Sequence, residues 1–227
     1  MIPNNRFELQ KTAEHICISF STEHSVISSA VYNGGNCLAS NILIMKVAGN
    51  FENEKKNCVN PEISLGQYCQ QLKLSGTTVG MMTSTTMDSF RQVSRSLQGV
   101  KVTAMVTAGV SNARCAGDRA DWRAIRTDGN PTGTINTVIV TTAIMSRAAM
   151  VESVMLAAEA KTVAMRKLGV RSPVSKTIAT GTGTDAIAVV NGAGPESVRY
   201  CGKHVIFGEI LASAVIEATT ESLRGWV

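Results

Sequence analysis

Aromatic residues make up only 4% of this 227-residue chain and charged residues 17%, so the sequence carries little of what nucleic acids or membranes recognise. Stacking platforms for single-stranded nucleic acid need interleaved aromatics. The net charge of +5 is spread thinly, with no run of five basic residues, which argues against a nucleic-acid interface. No stretch has the length of a membrane span, and the opening Met1-Ile2-Pro3-Asn4-Asn5-Arg6 lacks the apolar centre of a secretory signal. These absences predict a soluble, cytoplasmic protein.

Other absences remove whole reaction classes. The six cysteines (Cys17, Cys37, Cys58, Cys69, Cys115 and Cys201) show no Cys-x-x-Cys spacing and are too sparse for a disulfide framework, so they are expected to be reduced thiols, mostly in the core. His15, His24 and His204 are dispersed, without His-x-His or His-Glu-x-x-His spacing, and no protein-bound metal is expected. Gly-x-Ser-x-Gly is missing as well, which argues against a serine nucleophile elbow.

What is present is the material of a globular core: 44% of the residues are hydrophobic, enough for one domain over 1–227. Alternating residues at 7–10 and 15–20 predict a pair of antiparallel strands. A short helix is expected next, ending at the turn Asn33-Gly34-Gly35, with a strand over 41–47. The polar stretch 49–61 reads as a surface loop before a helix over 62–74. Strands are expected at 77–82, 90–97 and 100–108, with Gln98-Gly99 as a turn. The Asn-, Asp- and Gly-rich loop 111–131 is long enough to suggest function. A β-branched run at 134–142, a helix over 146–168, a buried strand at 186–190 and a final helix over 204–223 complete the chain. The fold class that follows is α+β: a mixed, largely antiparallel sheet packed by several helices.

Four places look wrong for an inert core. In the helix from Ser146, a 100° step puts Met150, Val154, Ala157, Ala164, Met165 and Leu168 on one stripe with Lys161 in its midst. A lysine there must snorkel, pair with a carboxylate or face a polar cavity. Glu159 lies nearer the polar edge. The segment Thr180-Gly181-Thr182-Gly183-Thr184-Asp185 precedes a buried strand and offers backbone amides and hydroxyls to a ligand, but it lacks the lysine of a phosphate-binding loop and the following helix of a dinucleotide fingerprint. His204 opens the final helix on the side of Leu211 and Val215, which predicts partial burial, and Glu209 follows one turn on. Thr107 to Ala113, Gly117-Asp118 and Gly133-Thr134-Ile135-Asn136 bring small residues and amides to strand ends.

These blocks together resemble the adenosylcobinamide amidohydrolases: residues 106–110, Asn112-Ala113, Gly117-Asp118, Gly133 to Asn136, Glu159-Ala160-Lys161-Thr162, Ala179 to Asp185, and His204 with Gly208-Glu209, in that order. Ser28-Ser29-Ala30 and Asn33-Gly34-Gly35 extend the resemblance towards the start. It implies hydrolysis of adenosylcobinamide to adenosylcobyric acid and 1-aminopropan-2-ol in corrinoid salvage, with cobalt entering as part of the substrate. Asp185 or His204 is expected to position the attacking water. Amides of the threonine–glycine loop or Asn136 would stabilise the oxyanion, and Lys161 or Glu209 would protonate the amine. Asn33, Gly34, Asn112, Asp118, Thr134, Asn136, Thr182 and Thr184 are the expected substrate contacts. The expected partner is a small corrinoid, with a homodimer as the base-rate assembly. Two other readings stay open: a corrinoid carrier without turnover, and a phosphate-handling transferase.

Overall fold

Apolar runs at 16–18 and 42–45, buried on consecutive residues, anchor the two longest strands, over 15–28 and 35–46, and fit a sheet with two covered faces. The computed structural model describes residues 7–47, 60–121 and 133–226. The chain passes through β1 (Phe7–Lys11), β2 (His15–Ser28), β3 (Gly35–Lys46), α1 (Pro61–Gln71), β4 (Thr78–Thr83), β5 (Arg91–Leu97), β6 (Val100–Ala108) and β7 (Ala113–Arg114). It continues through β8 (Ile135–Thr141), β9 (Ile144–Met145), α2 (Arg147–Lys167), β10 (Gly181–Thr182), β11 (Ala186–Val190), β12 (Ser197–Val198) and α3 (Ile206–Leu223). The main sheet runs β4-β3-β2-β11-β8-β6-β5, with β1 on β2. All its pairings are antiparallel except β3 with β4 and β8 with β11. The expected mixed, largely antiparallel α+β architecture is the observed one.

Side-chain alternation divides the core into layers. Ile42 and Ile44 of β3, Val79 and Met81 of β4, Val138 and Val140 of β8, and Ala186, Ala188 and Val190 of β11 share one cluster. The two halves of the sheet therefore face each other, and the β2–β3 register breaks between Ser19 and His24, as bulges do where sheets bend. On the outer face of one half, Cys17, Leu43 and Met45 pack on Leu65 and Cys69 of α1. On the outer face of the other, Val102, Ala104, Val106, Ile135, Ile139, Ile187 and Val189 pack against α2 and α3. Each large apolar side chain buried here stabilises the fold by about 1.5–3 kcal/mol, more than the surface ion pairs contribute. α2 starts where Ser146 Oγ accepts the Ala149 N–H at 3.1 Å, a cap of about 1 kcal/mol.

Two expectations change. The short helix ahead of Asn33 is absent because β2 runs on to Ser28, pairing with both β3 and β11; sheet pairing overrides local pattern there. The turn itself stands, with Asn33 at φ 52° and Gly35 at φ 86°. The final helix begins at Ile206, with Val205 as its cap, which leaves His204 in the preceding turn and exposed. Of the two expected loops, residues 48–59 and 122–132 lie outside the described residues. Cys17, Cys69 and Cys201 are buried, and Cys37 and Cys115 partly so.

Candidate active site

The parallel pairing of β8 with β11 sets Asn136 beside Ala186, and antiparallel β6 brings its last residues to the same sheet end. Thr134 Oγ1 donates to Thr184 O at 2.7 Å, and Thr184 Oγ1 donates to Gly133 O at 3.0 Å. Gly109 N–H donates to Thr134 O at 3.0 Å. From the segment after β4, Ser84 Oγ accepts the Gly133 N–H at 2.8 Å. Four chain segments are thereby tied around one strand end.

The Asp185 carboxylate is the hub. Lys161 Nζ donates to Oδ2 as an ion pair, with both side chains only 11–12% exposed. Oδ2 also accepts the Thr182 N–H at 3.0 Å, while Oδ1 accepts the Ile135 N–H at 3.1 Å and the Thr182 hydroxyl. A carboxylate placed there alone would carry a heavy desolvation cost, which this ring of donors offsets. Gly181 makes the arrangement possible: a Cβ at that position would stand 2.1 Å from Asp185 Oδ2 and 2.5 Å from Lys161 Nζ. The lysine in the apolar stripe is thus paired, on the side of α2 that faces the sheet.

β10 pairs with β7, Thr182 opposite Ala113, which holds the threonine–glycine loop beside Asn112. Asn112 Nδ2 lies 3.5 Å from where a Gly183 Cβ would stand, and its Oδ1 lies 2.7 Å from the corresponding point on Gly133. Asn112, Thr134, Thr182, Thr184, Asp185 and Lys161 are therefore brought together. Asn136 lies two residues further in, between the sheet halves. Its Nδ2 donates to Met82 O at 3.0 Å, which takes up one of the two N–H groups of the amide expected to serve an oxyanion. Asn136 Oδ1 and, opposite it on β6, Thr107 Oγ1 are fully buried and have no hydrogen-bond partner.

The remaining expected residues stand elsewhere. Asn33 Nδ2 donates to Thr78 O at 2.9 Å, at the opposite end of the six-residue β4 from Thr83, about 17 Å away along the strand. It lines a separate groove of about 510 Å³ with Tyr32, Gly66 and Thr77. Gly34 packs against the Ala30 carbonyl in the same turn. Asp118 accepts the Cys115 N–H at 2.7 Å and the Ser172 hydroxyl. The Ser172 hydroxyl first, then that of Ser175 and the Cys115 amide, hold its carboxyl below the ordinary carboxylate range; Asp118 ties two loops together. His204 follows Lys203, which pairs with Glu159, and Glu159 is rotated about 200° around α2 from Lys161. Glu209 is exposed on α3. Neither His204 nor Glu209 joins the Asp185 cluster.

The sequence pattern passes over Ser84 and marks Thr107 and Ile135 only as members of their segments, with no role for the Thr107 hydroxyl or the Ile135 amide. Thr83-Ser84-Thr85-Thr86 is a run of hydroxyls leaving a strand, the same kind of signal that marked the threonine–glycine loop. Among the described residues, no group of three His, Cys, Asp or Glu side chains gathers as a metal site, and no helix is long and apolar enough to cross a membrane.

Around one strand end the sheet gathers a paired lysine and carboxylate, the Thr134, Thr182 and Thr184 hydroxyls and the Asn112 side-chain amide, groups that acid–base hydrolysis of an amide can use. Over residues 2–227 the chain matches the adenosylcobinamide amidohydrolases, and it belongs to that family. An adenosylcobinamide amidohydrolase of Methanosarcina mazei is 28% identical over 201 residues, covering 85% of this chain and 86% of that protein. An uncharacterised protein of Methanocaldococcus jannaschii is 41% identical over 92 residues, 40% of this chain and 36% of that one. Among solved structures, the L-aminopeptidase D-Ala-esterase/amidase of Ochrobactrum anthropi gives a TM-score of 0.40 at 10% identity, covering 96% of this chain and 82% of that one. A β-aminopeptidase of a Burkholderia species gives 0.43 at 12%, covering 95% and 80%.

Proposed function

We propose that this protein hydrolyses the amide joining aminopropanol to the corrin of adenosylcobinamide, releasing adenosylcobyric acid and 1-aminopropan-2-ol for cobamide salvage in the cytoplasm. The observation that carries this reading is the Asp185 carboxylate held between the Lys161 ammonium and the Thr182 hydroxyl. Such a pair supports a closed proton circuit. A water attacks the amide carbon and passes a proton to Thr182 Oγ1 as the Thr182 proton moves to Asp185 Oδ1. Asn112 Nδ2 and the Gly183 N–H donate to the developing oxyanion. As the C–N bond breaks, Lys161 protonates the leaving nitrogen, and the Asp185 carboxyl then gives up its proton to the neutral Lys161 amine, which restores the ion pair. Oxygen and both protons of water are accounted for, one in each product.

This circuit draws only on groups of the chain, and cobalt enters as part of the corrinoid. Asn112, Thr134, Thr182 and Thr184 contact the amide arm in this reading. Incubation of the purified protein with adenosylcobinamide, read by mass spectrometry, tests it: equimolar adenosylcobyric acid and 1-aminopropan-2-ol are expected. Tight corrinoid binding without release of either product would replace the hydrolase reading with that of a carrier.

A further inference from the structure

Trp226 is a half-exposed aromatic in a chain that has few, and it stands at the rim of the strand-end cluster. The residue remains 43% exposed although it follows shortly after the buried end of α3. The Trp226 backbone N–H donates to Leu223 O at 2.9 Å, which anchors the main chain. The ring edge occupies space that only a glycine leaves open: a Cβ on Gly109 would stand 3.2 Å from Trp226 Cζ2 and 3.0 Å from Thr85 Cβ and Oγ1. Gly109 is itself bonded to Thr134, and Thr85 adjoins Ser84, the partner of Gly133. The indole therefore belongs to the same cluster of segments as the Lys161–Asp185 pair.

Distance gives this placement a meaning. β6, β8 and β11 are successive neighbours, so the segment carrying Gly109 and the segment carrying Asp185 stand two strand spacings apart, about 10 Å. The scissile amide of a cobinamide is held off the macrocycle on a short flexible arm. A macrocycle whose amide reaches Asp185 would find its conjugated, largely apolar body near the indole, where aromatic contact is favourable. We propose that Trp226, seated over Gly109, is a specificity-determining residue whose exposed indole face receives the corrin macrocycle. This rests on the hydrolase reading above and adds where the bulk of the substrate lies.

Full-length Trp226→Ala and Trp226→Phe variants test it, with folding checked by circular dichroism. Calorimetric titration with adenosylcobyric acid, which keeps the macrocycle and lacks the aminopropanol, reads the contact apart from catalysis. Trp226→Ala is expected to raise its Kd and the KM for adenosylcobinamide by about tenfold, equivalent to about 1.4 kcal/mol, with kcat within about threefold of the original. Trp226→Phe is expected to retain most of the affinity. Unchanged Kd and KM in folded Trp226→Ala would overturn the proposal, as would a fall in kcat alone. Failure of the unaltered protein to release aminopropanol would instead refute the hydrolase reading.

Discussion

Lys161 Nζ donates to Asp185 Oδ2 across the gap between α2 and the strand end, with each side chain almost nine-tenths buried. Breaking a buried pair from one side strands the other charge and typically costs about 3–5 kcal/mol. Lys161→Met should therefore destabilise the protein by an amount in this range, and so should Asp185→Asn, in urea titration. The double variant should lose clearly less than the sum of the two. Strict additivity would show that the pair contributes no coupling.

Gly181 leaves no room for a side chain beside that pair. Gly181→Ala should lower hydrolysis by about 100-fold, the scale of a lost acid–base group, and cost about 1–3 kcal/mol through overpacking. Parallel measurement of rate and urea midpoint checks both. A variant with full activity would show that the loop yields without disturbing Lys161.

Thr107 carries a buried hydroxyl without a partner. Thr107→Val keeps its shape and removes the unsatisfied group, so stability should rise by about 1 kcal/mol. A lower urea midpoint would mean that the hydroxyl is bonded in solution.

Burial holds the His15 imidazole below its ordinary value of 6.5, and nearby Glu14 opposes this only partly. His15 Nδ1 lies 3.0 Å from the Tyr68 hydroxyl and 3.1 Å from Thr12 Oγ1. With the folded pKa depressed, the unfolded chain binds the extra proton first as the pH falls. Stability is therefore flat above 6.5 on this account and declines from there down to the folded value. Denaturation between about pH 7.5 and about pH 5.5 should show a shallower decline for His15→Gln than for the original.

How far the sequence revealed the site depended on whether the decisive relation was local. Lys161 was legible because helix phase alone sets its direction, and the alternation of α2 is long and regular. The threonine–glycine loop was legible because its glycines adjoin an apolar strand. His204 was misjudged because the last helix begins at Ile206, so His204 lies in the turn before it, where the 100° step of a helix no longer sets a side chain's direction. Asn33 and Asp118 looked similar in composition to true neighbours of the site, yet their partners, Thr78 and Ser172, lie 45 and 54 residues away and leave no local trace. The folding of one sheet into facing layers was likewise hidden, since each strand pattern is compatible with either an open or a folded sheet.

The most direct test of the central claim is hydrolysis of adenosylcobinamide in ¹⁸O-water by the original protein and by Lys161→Met. The account predicts one heavy oxygen in the new carboxylate, released aminopropanol, and a rate at least about 100-fold lower in the folded variant. A folded Lys161→Met that hydrolyses at the original rate would contradict it.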